Sequence, residues 1–345
     1  MKCTLFVLFP IFLFMSCSGL EPNPVATATD KIIGADISFI DQEEYWGVNF
    51  YDNNVEDSAL DILKRYGFNY IRLRMFVDPD SVGTYDAYNK ERGQSSVSFC
   101  GRERTLGYAK QVKSAGFKFL LDLHYSDNWA DPGQQRKPNS WVNFTYDQLK
   151  SRVYSYTKES LEYFIENGVT PDIIQIGNEI TYGFLWDVDT TKSGKSDNIE
   201  QFTDLLKEGI RAVRDVSSSI KIMLHTTDSS KWWVDQIVAK SVDFDILGIS
   251  YYPKYSGTTE KLKSNLTEIA NSYSYDIVVV EYSKNKQEVN DIVFNLPNNR
   301  GLGAFIWEPV NWNDSEQAEN IFDWQTGTNE GFHTNSLIDF YLELD

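Results

Sequence analysis

Eight short runs of apolar residues recur along the chain, and most of them are rich in β-branched side chains. Runs of this length that end at polar or turn residues are typical of strands buried on both faces, as in a parallel sheet. We predict strands over residues 32–38, 68–75, 117–125, 172–177, 220–226, 244–252, 276–283 and 303–307.

Segments whose apolar residues have helical spacing separate these runs. Gly67, Gly116 and Gly168 each follow such a segment, and glycine is common just past a helix C-terminus. We predict helices over residues 59–66, 106–115, 149–167, 199–217, 231–239, 259–273 and 289–296.

The alternation of strand and helix, repeated eight times, indicates a parallel sheet, because each helix is long enough to form a right-handed crossover. The natural closure of eight such units is a (β/α)8 TIM barrel, whose active site lies at the C-terminal ends of the strands. An open doubly wound sheet is the alternative, but no glycine-rich dinucleotide motif follows the first strand. We therefore predict a single α/β barrel over residues 32–345.

Two of the predicted strands have a glutamate at their C-terminal end. Glu179 lies just after the fourth strand, and Glu281 lies near the end of the seventh. A carboxylate at the end of a buried strand is costly to desolvate, so its presence requires a reason. In a parallel barrel both side chains lie on one rim, and two carboxylates across a rim are the machinery of a glycosidase. The structural alternative is that a barrel arginine neutralises Glu179.

In the catalytic interpretation Glu179 is the general acid and base, and burial and a nearby carboxylate raise its pKa. Glu281 is the nucleophile and must be ionised, so we expect Arg72 as its cation and Tyr251 as its phenol donor. If the two carboxyl groups lie ~5 Å apart, the reaction retains the anomeric configuration through a covalent glycosyl-enzyme.

Other polar and aromatic residues are predicted at the same rim. Asn178 is placed to bind the sugar 2-hydroxyl, with a strand-end cap as the alternative. His124 and His225 end the third and fifth strands and would bind sugar hydroxyls, unless they are structural. Trp307 would form the floor beneath the cleaved sugar, because the CH faces of sugars pack on aromatic rings. Trp129, Trp312 and the pair Trp232 and Trp233 could extend that platform. The alternative is that they pack in the core.

Composition and charge limit the possible partners. The chain has 345 residues and a formal net charge of −18. Such acidity argues against a nucleic-acid partner, which would need a basic surface. Cys100 is the only cysteine after residue 17, which excludes an intramolecular disulfide in the processed chain and a cysteine zinc site. Asn311, Asp314 and Asp323 could ligate calcium through oxygen, but their spacing matches no calcium-binding loop, so we predict no metal site.

The N-terminus has the pattern of an export signal. Met1 and Lys2 precede an apolar run, residues 5–15, that is too short to span a bilayer. Cys17 follows a small serine, as in a bacterial lipobox, where the cysteine is lipidated and becomes the first residue. We predict a lipoprotein signal over residues 1–17 and a flexible tether over residues 18–31, with an ordinary secretory signal as the alternative.

Several segments together resemble family 53 of the glycoside hydrolases, the endo-β-1,4-galactanases, over roughly residues 33–323. These segments are GADIS, DILKRYGFNYIRLRMFVDP, LLDLHYSDNWADPGQQRKPNSW, IQIGNEITYGFLW, DILGISYYP and IWEP. The most specific is HYSDNWADPGQQRKP, whereas GNE is shared by many retaining barrel hydrolases. The resemblance implies a (β/α)8 barrel, a retaining mechanism and cleavage within β-1,4-galactan, the side chains of pectin.

The resemblance also implies roles for individual residues. Glu179 matches the acid/base and Glu281 the nucleophile. The positions expected to line the site are Asp36, Arg72, His124, Asn178, His225, Tyr251 and Trp307. Some bacterial members of the family bind calcium in the late loops, but no ligand set aligns here.

We therefore expect an exported hydrolase of β-1,4-galactan on the outer membrane or surface of a bacterium, with a secreted or periplasmic enzyme as the alternative. We expect a monomer that needs no cofactor, binds no nucleic acid, and contacts the membrane only through a lipid on Cys17. Another retaining endo-β-glycanase, such as a mannanase or cellulase, is a second hypothesis. A third is a non-catalytic glycan-binding lipoprotein, which would be expected to lack one of the two glutamates.

Overall fold

The computed structural model describes residues 31–81, 98–186, 196–310 and 318–344. These residues belong to one compact unit, Lys31–Asp345. The predicted signal and its Cys17 lie outside the described residues, as does Trp312. Among the residues that are described, none forms a helix that is both long and apolar enough to cross a membrane.

Twelve strands are present in the described residues, and eight of them form a closed parallel barrel. Along the chain they are β1 Ile32–Asp36, β2 Asn49–Asp52, β3 Val55–Asp57, β4 Tyr70–Met75, β5 Lys118–Leu123, β6 Ile173–Ile176, β7 Lys221–Thr226, β8 Ile246–Tyr251, β9 Asp276–Tyr282, β10 Gly301–Trp307, β11 Phe322–Gln325 and β12 Gly331–Thr334. The barrel order is β1-β10-β9-β8-β7-β6-β5-β4. All eight predicted strands are barrel strands, so the predicted (β/α)8 fold is confirmed.

Helices cover the outside of the barrel. They are α1 Ile40–Tyr45, α2 Ala59–Arg65, α3 Arg102–Ser114, α4 Tyr146–Glu166, α5 Ile199–Val216, α6 Lys231–Val238, α7 Pro253–Ser256, α8 Thr259–Ser272 and α9 Lys286–Phe294. Thr145 begins α4 with a capping box, in which its side chain accepts from the Gln148 backbone and the Gln148 side chain accepts from the Thr145 backbone. The apolar faces of the helices pack on the outer faces of the strands in one large core.

The inside of the barrel changes character along its axis. Near the amino ends of the strands it is filled by a small apolar cluster: Ile32, Tyr70, Leu120, Ile173, Met223, Ile246, Val278, Val280 and Phe305. Because successive residues of a strand face opposite sides, the next inward positions lie two residues further along. In β4, β5, β6 and β7 these are Arg72, Asp122, Gln175 and His225. The barrel therefore has an apolar base and a charged, polar upper layer.

A second sheet, of order β11-β12-β2-β3, was not predicted from the sequence. It joins the segment after β1 to the segment after β10, and Phe332 of β12 stacks on Phe50 of β2 at 5.6 Å. The strand–helix alternation was expected to repeat eight times, but only seven helices were predicted and none of them follows the eighth strand. In residues 318–344 the chain forms β11, β12 and a 3-10 helix, Ile338–Glu343, in place of an α-helix.

Candidate active site

Glu179 is held at the end of β6 by an unusual backbone. Gly177 has φ 80° and Glu179 has φ 49°, so the chain turns sharply as it leaves the strand. An added Cβ on Gly177 would lie 2.6 Å from the Ile180 side chain, which excludes other residues there. Gln135 fixes the turn from the facing loop, because its Nε2 donates to the Asn178 carbonyl at 2.7 Å. The carboxyl group of Glu179 is thereby aimed across the barrel mouth.

Glu281 faces the site because β9 contains a bulge. Against β8, the pairing advances from Ile249–Val279 to Ser250–Glu281, so β9 has one extra residue. The pairing with β10 shows the same insertion, from Ala304–Val279 to Ile306–Tyr282. Simple alternation from the inward Val278 and Val280 would turn Glu281 outward to the helices. The bulge reverses that direction, as bulges beside active sites commonly do.

Arg72 organises the charged layer. Its five N–H groups make five contacts: Nη1 with Asp36 at 2.7 Å and Glu281 at 2.8 Å, Nη2 with Asp122 and Asn178 at 2.8 Å each, and Nε with Gln175 at 3.2 Å. A guanidinium has five such donors, so this one is fully used. Burial acts to lower the pKa of Arg72, but the three carboxylates outweigh it and raise the pKa further. Arg72 is therefore a permanent cation next to Glu281, as the sequence predicted.

The two glutamates meet over one cleft. One carboxylate oxygen of Glu179 and one of Glu281 lie within 4.8 Å of each other. Ser250 of β8 lies between them, with its Oγ 2.7 Å from Glu179 Oε1 and 3.4 Å from Glu281 Oε2. Both side chains are nearly buried. This spacing can accommodate a direct attack by one carboxylate on a bound sugar, without an intervening water.

Electrostatics distinguish the two carboxyl groups. Burial raises the pKa of Glu179, and repulsion by Glu281 raises it further. Burial also raises the pKa of Glu281, but the Arg72 charge and the Tyr252 hydrogen bond oppose that rise. When one proton is shared between two close acids, it resides on the one with weaker cationic support. The proton therefore belongs on Glu179 and the negative charge on Glu281.

The predicted phenol donor was assigned to the wrong tyrosine. Tyr251 points outward and its hydroxyl donates to the Gly257 carbonyl at 3.1 Å. Tyr252 donates instead to Glu281 Oε2, at 2.9 Å. Alternation along β8 explains the correction, because Gly248, Ser250 and Tyr252 share the inward face.

The two predicted histidines differ in their access to the cleft. His124 lines it, and its Nε2 lies 3.0 Å from Asp122. His225 has no exposed surface and lies beneath Ser250 and Asn178. Its prediction as a sugar-binding residue is corrected, since it can act only through those neighbours.

Asp36 is likewise placed below the cleft. Its carboxylate is fully buried between Arg72 and the hydroxyl of Ser38, which lies 2.7 Å away. It holds Arg72 in position and has no surface with which to bind a sugar.

Aromatic rings form the cleft wall, as predicted for two of the tryptophans. The cleft has a volume of about 400 Å³. Trp307, at the end of β10, is half-buried and meets Tyr252 and Trp129 edge to face, each at 6.4 Å. Trp129 stacks on the guanidinium of Arg74 at 4.1 Å. Besides the residues named here, the lining includes Phe39, Ala130, Asp131 and Gln134.

The adjacent tryptophans of α6 have different environments. Trp233 is buried, and its indole N–H donates to the Thr181 carbonyl at 3.2 Å, two residues past Glu179. Trp232 is 62% exposed. The core interpretation therefore holds for Trp233 and not for Trp232.

Several site residues were missed from the sequence: Ser250, Tyr252, Arg74, Gln135, Gln175 and Glu308. Arg74 and Glu308 form a buried ion pair of 2.6 Å, and Phe39 packs over the guanidinium at 4.6 Å. Period-two alternation along DILGISYYP could have identified Ser250 and Tyr252. Gln135 and Glu308 follow their strands in loops, where no such rule applies.

One group of donor atoms has the compactness of a metal site. Atoms of Glu179, His225 and Glu281 lie within 4.8 Å of one another. However, Arg72 and Tyr252 already bind the Glu281 oxygens, so a cation there would displace these contacts. Of the three residues considered for calcium, Asp323 is exposed on β11, whereas Asn311 and Asp314 lie outside the described residues.

One protonated and one ionised carboxyl group face each other across an aromatic cleft at the carboxyl end of the barrel. This arrangement defines a glycoside hydrolase. The sequence profile described as Glycosyl hydrolase family 53 matches residues 32–291. The chain therefore belongs to this family, and the resemblance seen in the sequence is confirmed.

Relatives and solved structures agree with that assignment. The endo-beta-1,4-galactanase of Bacillus subtilis (strain 168) is 32% identical, with 81% of this chain and 70% of that protein covered. A probable arabinogalactan endo-beta-1,4-galactanase A of Aspergillus tubingensis is 35% identical, with 82% and 85% covered. The solved GH53 catalytic domain of Ignisphaera aggregans has a TM-score of 0.78 and 29% identity, and the match covers 93% of this chain and 98% of that one.

Proposed function

We propose that this glycoside hydrolase cuts β-1,4-galactan internally and with retention, with Glu179 as acid/base and Glu281 as nucleophile. The observation that carries the proposal is the close approach of the two carboxylates, within 4.8 Å. Inverting enzymes need a wider gap of roughly 6.5–9.5 Å to hold a water. The substrate class is inferred from the relatives, which are named as endo-beta-1,4-galactanases.

In the first step Glu281 attacks the anomeric carbon of the bound sugar, and the bond to the leaving glycosidic oxygen breaks. Glu179 gives that oxygen its proton. Arg72 and Tyr252 hold Glu281 in the ionised form and orient its two oxygens. The product of this step is a covalent ester between Glu281 and the sugar.

In the second step Glu179 takes a proton from a water, which attacks the same carbon and displaces Glu281. Both groups return to their starting states, so atoms and charges balance. Trp307 and Trp129 would support the apolar faces of successive galactosyl residues, because the two rings form a continuous wall.

Azide rescue tests the two roles separately. With an activated aryl galactobioside, Glu281→Ala plus azide should give the α-galactosyl azide, and Glu179→Ala plus azide should give the β-azide. Each substitution should lower kcat on galactan by at least ~10³-fold, while binding to galactan persists. Glu166→Gln, at an exposed glutamate of α4, is the matched control. Full activity of Glu281→Ala would refute the assignment.

A panel of galactan, mannan, cellulose and xylan tests the substrate. The proposal expects cleavage of β-1,4-galactan to short oligosaccharides, with the other polymers left intact. Preferential cleavage of mannan or cellulose would establish the alternative endo-β-glycanase, with the same two glutamates.

We propose further that the enzyme is exported and held on a bacterial membrane by a lipid on Cys17. The support is the apolar run of residues 5–15, followed by Ser16 and Cys17. Labelling with a fatty-acid probe should mark the wild-type chain and not Cys17→Ser. Release of an unlabelled wild-type chain into the medium would favour an ordinary secretory signal.

A further inference from the structure

Ser250 has one hydroxyl and three neighbours that could share its proton. Its Oγ lies 2.7 Å from Glu179 Oε1, 2.7 Å from His225 Nε2 and 3.4 Å from Glu281 Oε2. The side chain is fully buried, so no water competes for these contacts. A serine hydroxyl carries one proton and can donate to one of them at a time. The tautomer of His225 decides which.

Asn178 determines that tautomer. Its Nδ2 donates to the Ala130 carbonyl at 2.8 Å, and its Oδ1 accepts from Arg72 at 2.8 Å, so the amide orientation is fixed. The same Oδ1 lies 2.8 Å from His225 Nδ1. Because an amide oxygen can only accept, His225 must carry its proton on Nδ1.

The other neighbours of His225 Nδ1 lie farther away. Gln175 Nε2 at 3.2 Å and the Glu179 backbone N–H at 3.3 Å are donors that would need an unprotonated Nδ1, but both contacts are longer than the 2.8 Å contact with Asn178 Oδ1. The two N–H groups of Gln175 Nε2 already donate to Asp122 at 2.6 Å and to the Gly177 carbonyl at 3.0 Å. Burial, together with the positive charge of Arg72, lowers the pKa of His225, so the ring stays neutral. Its Nε2 is then a pure acceptor.

The resting arrangement follows. The Ser250 hydroxyl donates its hydrogen bond to His225 Nε2, so its oxygen can only accept from Glu179. The 2.7 Å contact between Ser250 and Glu179 therefore requires a proton on the Glu179 carboxyl. This is the form that the acid needs before the first step.

We propose that Ser250 is a positioning residue that turns its hydroxyl from His225 to the Glu179 carboxylate when Glu179 releases its proton. The inference rests on the proposed acid/base role of Glu179. The turn moves no proton between groups: the acid proton goes to the leaving oxygen and is replaced from water in the second step. In the turned state Ser250 stabilises the base, and His225 Nε2 loses its donor.

Other ionisable groups face this network from the neighbouring strands and loops, and Ser250→Ala leaves them in place. They are Arg72, Asp122, His124, Asp131, Tyr252 and Glu281. A change in the pH profile of that variant therefore reports the lost hydroxyl.

The first test is the pH profile of kcat/KM on galactan. Ser250→Ala removes a hydrogen bond that is stronger to the ionised than to the neutral carboxyl. The alkaline limb should move up by roughly 0.5–1 pH unit. Ser250→Thr keeps a hydroxyl and should restore the wild-type limb. Ser160→Ala deletes a buried hydroxyl in α4 and should leave it unmoved. A uniform loss of kcat/KM with an unmoved limb in Ser250→Ala overturns the proposal.

The second test does not use activity. The chain has 3 histidines, which simplifies a ¹⁵N spectrum of the rings. His124 accepts the Ala130 N–H at Nδ1, and His333 Nε2 lies 2.8 Å from the Asn329 carbonyl, so both should carry the proton on Nε2. His225 should carry it on Nδ1. Three Nε2–H rings would overturn the proposal, even if Ser250→Ala did not fold.

The two proposals can fail separately. A wild-type enzyme that does not cut galactan refutes the proposed function, while the tautomer of His225 is still measurable. An active wild type with essential glutamates, but an alkaline limb unaffected by Ser250→Ala, refutes the role of Ser250 alone.

Discussion

Glu281 contacts a guanidinium and a phenol, whereas Glu179 contacts a serine hydroxyl at 2.7 Å. Charge-assisted hydrogen bonds are about twice as strong as neutral ones, so the ionised state is favoured at Glu281. The same barrel layer thus keeps Glu179 neutral and Glu281 negatively charged, although the two side chains are identical. Single-residue differences in partners, rather than differences in burial, create this asymmetry.

The pH dependence of activity follows from that asymmetry. Burial and repulsion by Glu281 raise the pKa of the Glu179 carboxyl to about 8. An acid with a raised pKa keeps its proton below that pH and loses it above. Activity requires the proton, so kcat/KM on galactan should fall by about tenfold per pH unit on the alkaline side. Profiles measured from about pH 4 to pH 10 check this. An alkaline limb near the ordinary glutamate pKa would contradict it.

Glu308 and Arg74 form a second buried ion pair, next to the ion pair of Arg72 and Glu281. Both side chains are almost fully buried, and Arg74 supports the Trp129 ring. Glu308→Ala removes the nearest carboxylate from a buried cation and should destabilise the fold by about 3–5 kcal/mol. Urea unfolding measures this loss.

The double variant Arg74→Met/Glu308→Leu provides the control. Apolar residues of similar volume often replace a buried pair at little cost, so much of the lost stability should return. The double variant should bind galactan more weakly than the wild type, because Trp129 loses the Arg74 guanidinium on which it stacks. A loss below about 1 kcal/mol in Glu308→Ala would contradict a structural role for the pair.

At the scale of elements, closing the barrel depends on the contact between β1 and β10. Gly303 pairs with Ile32 and has φ 149°, a conformation that favours glycine. An added Cβ would lie 2.0 Å from the Ile32 carbonyl oxygen. The strands can approach this closely only without a side chain.

Gly303→Ala should therefore destabilise the protein by about 3 kcal/mol or more, because backbone atoms of two barrel strands must separate. Chemical unfolding of the purified variant measures this. Gly107→Ala is the matched control: Gly107 lies on the exposed side of α3, and an added Cβ there would meet no atom within 4 Å. That substitution should stabilise the helix by ~0.5–1 kcal/mol. Equal effects of the two substitutions would refute the argument.

The barrel strands could be predicted because each is almost entirely buried and is predominantly apolar. The strands of the second sheet could not. β2 and β3 are NFYD and VED, three or four residues long and partly exposed, without a periodic pattern. β11 and β12 are equally short, and their burial depends on partners far away in the chain.

Within the site, the sequence indicated which residues are functional more reliably than it indicated where their side chains point. Glu281 could be recognised as a strand-end acid, but the bulge that turns it inward is set by pairing with β8 and β10. Simple alternation would have corrected Tyr251 to Tyr252. No local pattern marks His225 as buried, because that depends on Asn178 and Ser250 above it.

At the scale of the whole molecule, the second sheet joins two parts of the chain that are far apart in sequence. β12 pairs in parallel with β2, and Phe50 of β2 contacts both Phe332 and Phe322, with ring centroids 5.6 Å apart in each pair. Nearby, the Tyr341 hydroxyl lies 2.8 Å from that of Tyr282 in β9. The described C-terminal segment is thus part of the folded core rather than an appendage.

Phe332→Ala tests whether this connection stabilises the fold without serving catalysis. Loss of a buried ring should cost about 3–5 kcal/mol in the free energy of unfolding. Leu342→Ala, at a side chain that is 52% exposed, should change it by less than about 0.5 kcal/mol. Since none of the cleft-lining residues belongs to the second sheet, kcat on galactan per folded molecule should be unchanged at low temperature. If Phe332→Ala instead lowers kcat per folded molecule as well as stability, the second sheet positions the active site. Stability and chemistry are then coupled through β1 and β10.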